Sequence, residues 1–237
     1  MKKLVRITTV PISLNILLNN QLTYMKDYFE VIAVSSSGKE LEEVGLQSGV
    51  RTVPINMTRK VSPVADTIAV FRLVRFFMKE RPWIVHTHTP KAGLLGMVAA
   101  RLAGIPIRLH TVAGMPLLET HGIRRKILEL AEKMTYRCAV KVYPNSHEMM
   151  NIIIRNGYSR ADKLKVIGRG SSNGIDTAWF DPARVEPAQT AALRQQLGIG
   201  DTDFVFCFIG RIVSAKGIGE LVAAFVELAL KNDRIKL

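Results

Sequence analysis

The sequence predicts an α/β protein: a doubly wound, Rossmann-like parallel sheet with helices on both faces, followed by the start of a second Rossmann-like domain. Three observations predict it. Short β-rich runs alternate with longer helical patterns up to about residue 167. Several of those patterns end on the residues that stop helices. Past a glycine- and serine-rich stretch, a strand-like run, a turn and a helical pattern begin again.

Segments 4–9, 30–35, 52–56, 84–87, 107–111, 140–143 and 164–167 read as strands. Between them, 14–28, 39–48, 65–79, 91–103, 124–137 and 146–156 read as helices. Ile123, Ile127, Leu130, Ala131 and Met134 fall on one helical face. Ser62-Pro63 has the form of a cap followed by a first-turn proline. Gly104 closes the helix from 91, and Pro106 prevents its continuation. Asn145-Ser146 caps the next helix, with Glu148 in its first turn. After Gly168 the chain turns glycine-rich through Gly174 and polar to about Gln189, as an interdomain linker does. A short helix at 190–197 ends at Gly198. The predicted domains are 1–180 and 181–237.

Composition bounds the function. Of 237 residues, 48% are hydrophobic and 22% charged, which is enough to build a core. Net charge is +13, favouring anionic partners such as phosphorylated substrates or an anionic membrane face. Only 7% of residues are aromatic and no stacking-platform motif is present, so no nucleic-acid partner is expected. Two cysteines, Cys138 and Cys207, make no disulfide framework and read as buried thiols. No apolar run reaches the roughly 18–20 residues a bilayer requires. The N-terminal lysines and apolar residues read as a first strand rather than a signal peptide. A cytoplasmic protein is expected, peripheral at the inner face of the membrane.

Several segments carry candidate chemistry. His86-Thr-His-Thr-Pro-Lys-Ala-Gly93 follows a strand and opens a helix, where ligands of open α/β sheets bind. His88, Thr89 and Lys91 there suit a phosphate or sugar hydroxyls; a polar turn is the structural alternative. The two histidines lack a third ligand, so no metal is expected. His110 reads as a strand residue that packs locally, with a general base as the alternative, and Gly114 allows close backbone approach. The first strand is followed by Pro11-Ile-Ser13 with no dinucleotide fingerprint, so Ser13 and Asn15 either face a substrate or cap the helix. Arg124-Arg125-Lys126 places cations at a helix start, which suits a solvated face or a nearby anion such as lipid head groups. Gly168, Gly170 and Asn173 give a turn-prone crossing. In Phe208-Ile-Gly-Arg-Ile-Val-Ser-Ala-Lys-Gly217, Arg211 and Lys216 sit between strand and helix, where a phosphate is well placed.

Taken in order, these segments resemble glycosyltransferase family 4, whose members have the GT-B fold. The pieces are His88-Thr-Pro-Lys-Ala-Gly93, Ala99-Ala-Arg-Leu-Ala-Gly-Ile-Pro106, Thr111-Val-Ala-Gly114, Asn145-Ser146, Gly170-Ser-Ser-Asn-Gly-Ile-Asp176 with Phe180, and Phe208 to Gly217. The likeness is to bacterial members that build capsule, O-antigen or other lipid-linked glycans. It implies two Rossmann-like domains, one holding the acceptor and one the nucleotide-sugar donor, with Arg211 and Lys216 on the donor diphosphate. It implies transfer of a hexose-type sugar with retention, without metal or cofactor. Ala113 stands where family members often carry histidine. The family's two-glutamate motif falls beyond residue 237, and Glu220 is not that motif, so no catalytic residue is assigned. The chain is expected to be an N-terminal portion, inactive alone. Two competing readings share the features: a basic α/β module binding anionic lipid or nucleic acid without catalysis, and a nucleotide-sugar epimerase of the same fold.

Overall fold

The structure is a computed structural model that describes residues 1–171 and 174–237. It divides into two compact units, Met1–Gly174 and Ile175–Leu237. Each is described by itself.

In the first unit six strands form one parallel sheet: β1 (Lys3–Ile7), β2 (Glu30–Ser35), β3 (Arg51–Pro54), β4 (Ile84–Thr87), β5 (Ile107–Val112) and β6 (Lys141–Pro144). Their order is β3-β2-β1-β4-β5-β6, so the winding reverses between β1 and β4. Helices α1 (Pro11–Met25) and α2 (Lys39–Ser48) pack together. Helices α3 (Pro63–Glu80), α4 (Pro90–Leu102) and α5 (Gly122–Cys138) form a second packed layer, and α6 (His147–Arg155) follows β6. Alternation along β1 assigns the faces. Leu4 joins the apolar cluster with Leu14, Leu18 and Leu22 of α1. Val5 and Ile7 join the cluster holding Leu73, Phe77 and Met97 of α3 and α4.

The amino-terminal edge of the sheet is tied by charge. Glu80, at the end of α3, is buried and accepts from Lys3 Nζ of β1 and Arg51 Nη2 of β3, each at 2.8 Å. The two cations hold its carboxyl down at about 2. Lys163 Nζ donates to the carbonyls of Tyr136, Arg137 and Ala139 at 2.9–3.3 Å, closing the end of α5 where backbone acceptors run out.

One expectation is corrected in this unit. Segment 164–167 is not a strand; Leu164 makes one parallel bridge to Val142 and the chain turns away. The apolar row of α5 does not face the core. Ile123, Ile127, Leu130 and Met134 are exposed, whereas Glu132, Thr135 and Tyr136 are buried. Helical periodicity defines a stripe; neighbouring elements decide which stripe is inside. The outer side of α3 is built alike, with Val64, Ile68, Phe71 and Met78 exposed.

The second unit holds α7 (Pro187–Gln196), a two-stranded parallel sheet of β7 (Phe204–Val205) and β8 (Ile235–Lys236), and α8 (Ile218–Ala229). The apolar run that predicted a longer strand pairs only where β8 reaches it. Among the described residues this unit has no buried side chain, and Cys207 is exposed rather than buried; Cys138 is buried in the first unit.

Candidate functional site

The parallel register brings polar side chains from four strands to one face. Arg6 lies two residues beyond Leu4, on the α1 side of the sheet. It is in register with His86 of β4, and His86 with Leu109 of β5. Two residues past Leu109 is Thr111, in register with Tyr143 of β6. His88 continues the row from His86. Parity therefore places Arg6, His86, His88, Thr111 and Tyr143 together, at the carboxyl end of the sheet and across the β1–β4 reversal, where ligands of such sheets bind.

A cavity of about 590 Å³ opens there, lined by those residues, by Asn15, Leu17 and Gln21 of α1, and by Asn145, Ile167 and Ser171. Arg6 is 1% exposed. Its Nε–H donates to His88 Nε2 at 2.9 Å and its Nη2 to Gln21 Oε1 at 2.7 Å. Arginine has no acceptor, so His88 Nε2 is the acceptor and its proton sits on Nδ1. His86 Nε2 pairs with Thr111 Oγ1 at 2.8 Å, and the rings of His86 and His88 lie 4.1 Å apart. Burial is the main cause holding both histidines well below their usual range, and the Arg6 charge adds to it. Both rings are neutral at pH 7. Burial also brings Arg6 down to about 10, so it remains charged.

His110 points to the opposite side. It is buried, its Nδ1 is 2.7 Å from Thr87 Oγ1, and burial lowers it to about 4. A Cβ on Gly93 would lie 2.5 Å from its ring, so glycine lets α4 close over it. His110 packs locally.

The acceptor-side residues read from sequence separate. His88 lines the cavity; Ser13, Thr89, Lys91 and Gly114 do not. Thr89 Oγ1 accepts from Thr9 N at 3.0 Å and bonds Thr9 Oγ1 at 2.7 Å, joining the start of α4 to the turn after β1. Lys91 pairs with Asp66 of α3 and donates to the Lys60 carbonyl at 3.0 Å. Ser13 is half-buried in the first turn of α1, its N–H donating to the Val10 carbonyl. Gly114 is exposed, with open space beside it.

Gly168 and Gly170 have φ of +58° and +97°. At Gly170 an added Cβ would lie 2.5 Å from the Asn145 carbonyl oxygen, so this crossing requires glycine twice over, for its torsion and for its contact. Asn145 is also held by its Nδ2 donating to the Ala113 carbonyl at 3.0 Å. Asn173 lies outside the described residues. In the second unit Arg211 and Lys216 are exposed, on the turn between β7 and α8. Gly217, φ +69°, caps α8.

Arg6, Gln21 and Tyr143 were not singled out from sequence. The available signal was a polar residue at every second position near the strand ends: Arg6, His86 with His88, Thr111, and Tyr143 with Asn145.

Comparison with known proteins places this architecture. The chain is 33% identical over its whole length to the capsular polysaccharide biosynthesis glycosyltransferase CapM of Staphylococcus aureus, of which it spans 60%. It is 33% identical over 66% of its length to the UDP-Gal:alpha-D-GlcNAc-diphosphoundecaprenol alpha-1,3-galactosyltransferase of Escherichia coli, covering 39% of that protein. In three dimensions it superposes on Anabaena HepE, solved in complex with UDP and glucose, with a TM-score of 0.72 at 20% identity, over 99% of this chain and 60% of that one. That likeness shows the fold: the parallel sheet flanked by helices is the Rossmann-like architecture of GT-B proteins. The glycosyl transferase 4-like domain matches residues 26–170, and the chain belongs to that family.

Proposed function

We propose that the protein is a glycosyltransferase that moves a hexose-type sugar from a nucleotide-sugar donor to a lipid-linked glycan acceptor, with retention and without a metal ion. The observation that carries it is the polar cavity at the β1–β4 reversal of a glycosyl transferase 4-like domain. It has room for a sugar and offers amide, imidazole, hydroxyl and guanidinium groups to hydroxyls and charge. The E. coli relative acts on a diphosphoundecaprenol-linked sugar with a UDP-sugar donor, and HepE binds UDP, which supports the same substrate classes here. The named relatives are transferases, which favours transfer over epimerisation.

In this reading the first unit presents the acceptor hydroxyl, and Arg211 and Lys216 meet the donor diphosphate beside the start of α8. Departure of the sugar leaves negative charge on that diphosphate. Two cations and a helix N-terminus stabilise it as it forms, the part a metal plays elsewhere. The test is transfer of radiolabel from UDP-sugars to undecaprenyl-diphosphate-linked glycans by this chain joined to the part of CapM that it does not span, with the chain alone, expected inactive, as the control and the product's anomeric configuration read by NMR. Retained configuration and activity insensitive to EDTA are expected. No transfer by the joined chain to any such acceptor overturns the reading; inversion or EDTA sensitivity overturns that part of it.

A membrane-facing role for the first unit goes with such an acceptor. No helix among the described residues is long and apolar enough to cross a bilayer. The exposed rows Ile123, Ile127, Leu130, Met134 and Val64, Ile68, Phe71, Met78 are flanked by exposed Arg124, Lys126, Lys133, Arg137, Arg72, Arg75 and Lys79. Apolar stripes edged by cations suit an anionic bilayer surface. Co-sedimentation with phosphatidylglycerol vesicles but not phosphatidylcholine vesicles is expected, reduced by Ile127→Glu with Leu130→Glu. Equal binding to both vesicles, or unchanged binding of the variant, counts against it.

A further inference from the structure

We propose that Arg6 is an anion-binding residue: the acceptor carries an oxyanion, a phosphate or a sugar carboxylate, that seats against this guanidinium inside the cavity. The inference deepens the reading above by giving the acceptor's charge.

Arg6 is a buried cation with no counter-charge among the described residues. It forms no ion pair among the described residues, and no carboxylate lines the cavity. The two residues outside the description are Ser172 and Asn173, neither of them acidic. Of five guanidinium N–H donors, one goes to His88 and one to Gln21, both neutral acceptors. The other three have no protein acceptor among the described residues, while the side chain lines a cavity that a ligand can enter.

Removing a guanidinium from water is costly, and neutral hydrogen bonds recover part of that cost. The neighbouring imidazoles stay neutral, which spares the site added repulsion but supplies no negative charge. A residue kept for stability alone is better served by an apolar side chain of the same volume. An arriving oxyanion changes the balance, because it provides charge and forked acceptors where water is largely excluded. The surrounding groups fit the rest of such a ligand. Asn15, Asn145 and Thr111 carry groups that hydrogen-bond sugar hydroxyls, and Tyr143 adds an aromatic ring to the cavity wall.

Gln21 gives the sharpest test. Its Oε1 is 2.7 Å from Arg6 Nη2, so Gln21→Glu places a carboxylate on the guanidinium in exchange for the 3.3 Å bond that Gln21 Nε2 donates to the Leu17 carbonyl. The neutralised site should lose its ligand while the fold gains an ion pair. Calorimetric titration of the purified chain with α-D-glucose 1-phosphate, methyl α-D-glucuronide and neutral methyl α-D-glucopyranoside compares the ligand classes. At least one charged sugar should bind tenfold or more tightly than the neutral one. That preference should vanish in Gln21→Glu and in Arg6→Met, with melting temperatures no lower than that of the parent. Whether the phosphate or the carboxylate is preferred names the group. Absence of charge preference in the parent, or its persistence in Gln21→Glu, overturns the proposal. A clearly lower melting temperature in both variants does the same, because it makes Arg6 a structural residue. Should Arg6→Met fail to fold, Gln21→Glu decides alone. The titration contains no donor and involves no transfer, so its failure leaves the transferase reading standing, and loss of transfer leaves this binding result intact.

Discussion

The two ends of the sheet treat buried charge in opposite ways. At the amino-terminal end Glu80 is enclosed with two cations, Lys3 and Arg51, from two different strands. At the carboxyl end Arg6 is enclosed with an imidazole and an amide, both uncharged. The two groups lie on opposite edges of the same sheet, in one folding unit. The edge that only holds the fold together neutralises itself. The edge with the cavity leaves its charge for something that arrives. A buried ion with its partner at hand belongs to architecture, and a buried ion without one is a candidate binding group.

Acid separates the two ends most strongly. His86, His88 and His110 take up protons less readily in the folded chain than in the unfolded one, whose histidines titrate near 6.5. Their contribution is complete above that pH. It drains as the pH falls, for His110 down to about 4. The loss from His110 alone is on the order of 3 kcal/mol. Glu80 behaves likewise in a lower window, complete above about 4.5 and draining toward about 2. Urea unfolding at pH 7, 5.5 and 4.5 should show stability already falling between the first two. A flat profile down to pH 4.5 contradicts neutral, buried histidines.

Next in size is Glu80→Gln. It should cost about 2 kcal/mol at pH 7, the lower part of the range for a broken buried pair, because Lys3 and Arg51 stay partly solvated. Denaturant midpoints measure it, and a change under about 0.5 kcal/mol would show that the clamp is ornamental. Lys163→Met, at the same edge, should cost about 1 kcal/mol by uncovering the last carbonyls of α5. On the opposite edge Ser146→Ala should cost about 1 kcal/mol, since Ser146 Oγ accepts from Met149 N at 3.0 Å to cap α6. Equal small costs from the two caps would show that the contrast between edges concerns buried charge and does not extend to helix ends.

Much of the first unit was legible in the sequence because its signals are local. β2, β4 and α2 begin and end where they were read, since apolar runs and capping residues fix them. The other four strands of the sheet lie within about two residues of expectation. α1 and α4 begin earlier than read, because Pro11 and Pro90 each occupy a first-turn position that a reading of apolar spacing skips. Segment 164–167 has strand-like residues but only one bridging partner, and pairing cannot be read locally. The site was less legible. His88 was found because it sits in a conspicuous polar cluster, whereas Thr89 and Lys91 from that cluster bond within the protein. Arg6 was passed over inside an apolar strand. Its meaning depends on register with His86, on Gln21 fifteen positions away, and on which face α1 covers. The outward direction of the α5 row was not legible for a related reason, since spacing describes one helix and burial is decided by its neighbours.

The alternation along β1 also limits how this chain can change in length. A single added residue between Arg6 and Ile7 would put the preceding part of the strand one pleat out of step and drive the guanidinium into the apolar cluster of Val5 and Phe77. Leu4 would move with it into the wrong layer. Insertions should therefore be tolerated around Arg59 and Lys60, in exposed backbone ahead of α3, and rejected in the first seven residues. Arg6 thus also acts as a lock on strand alignment.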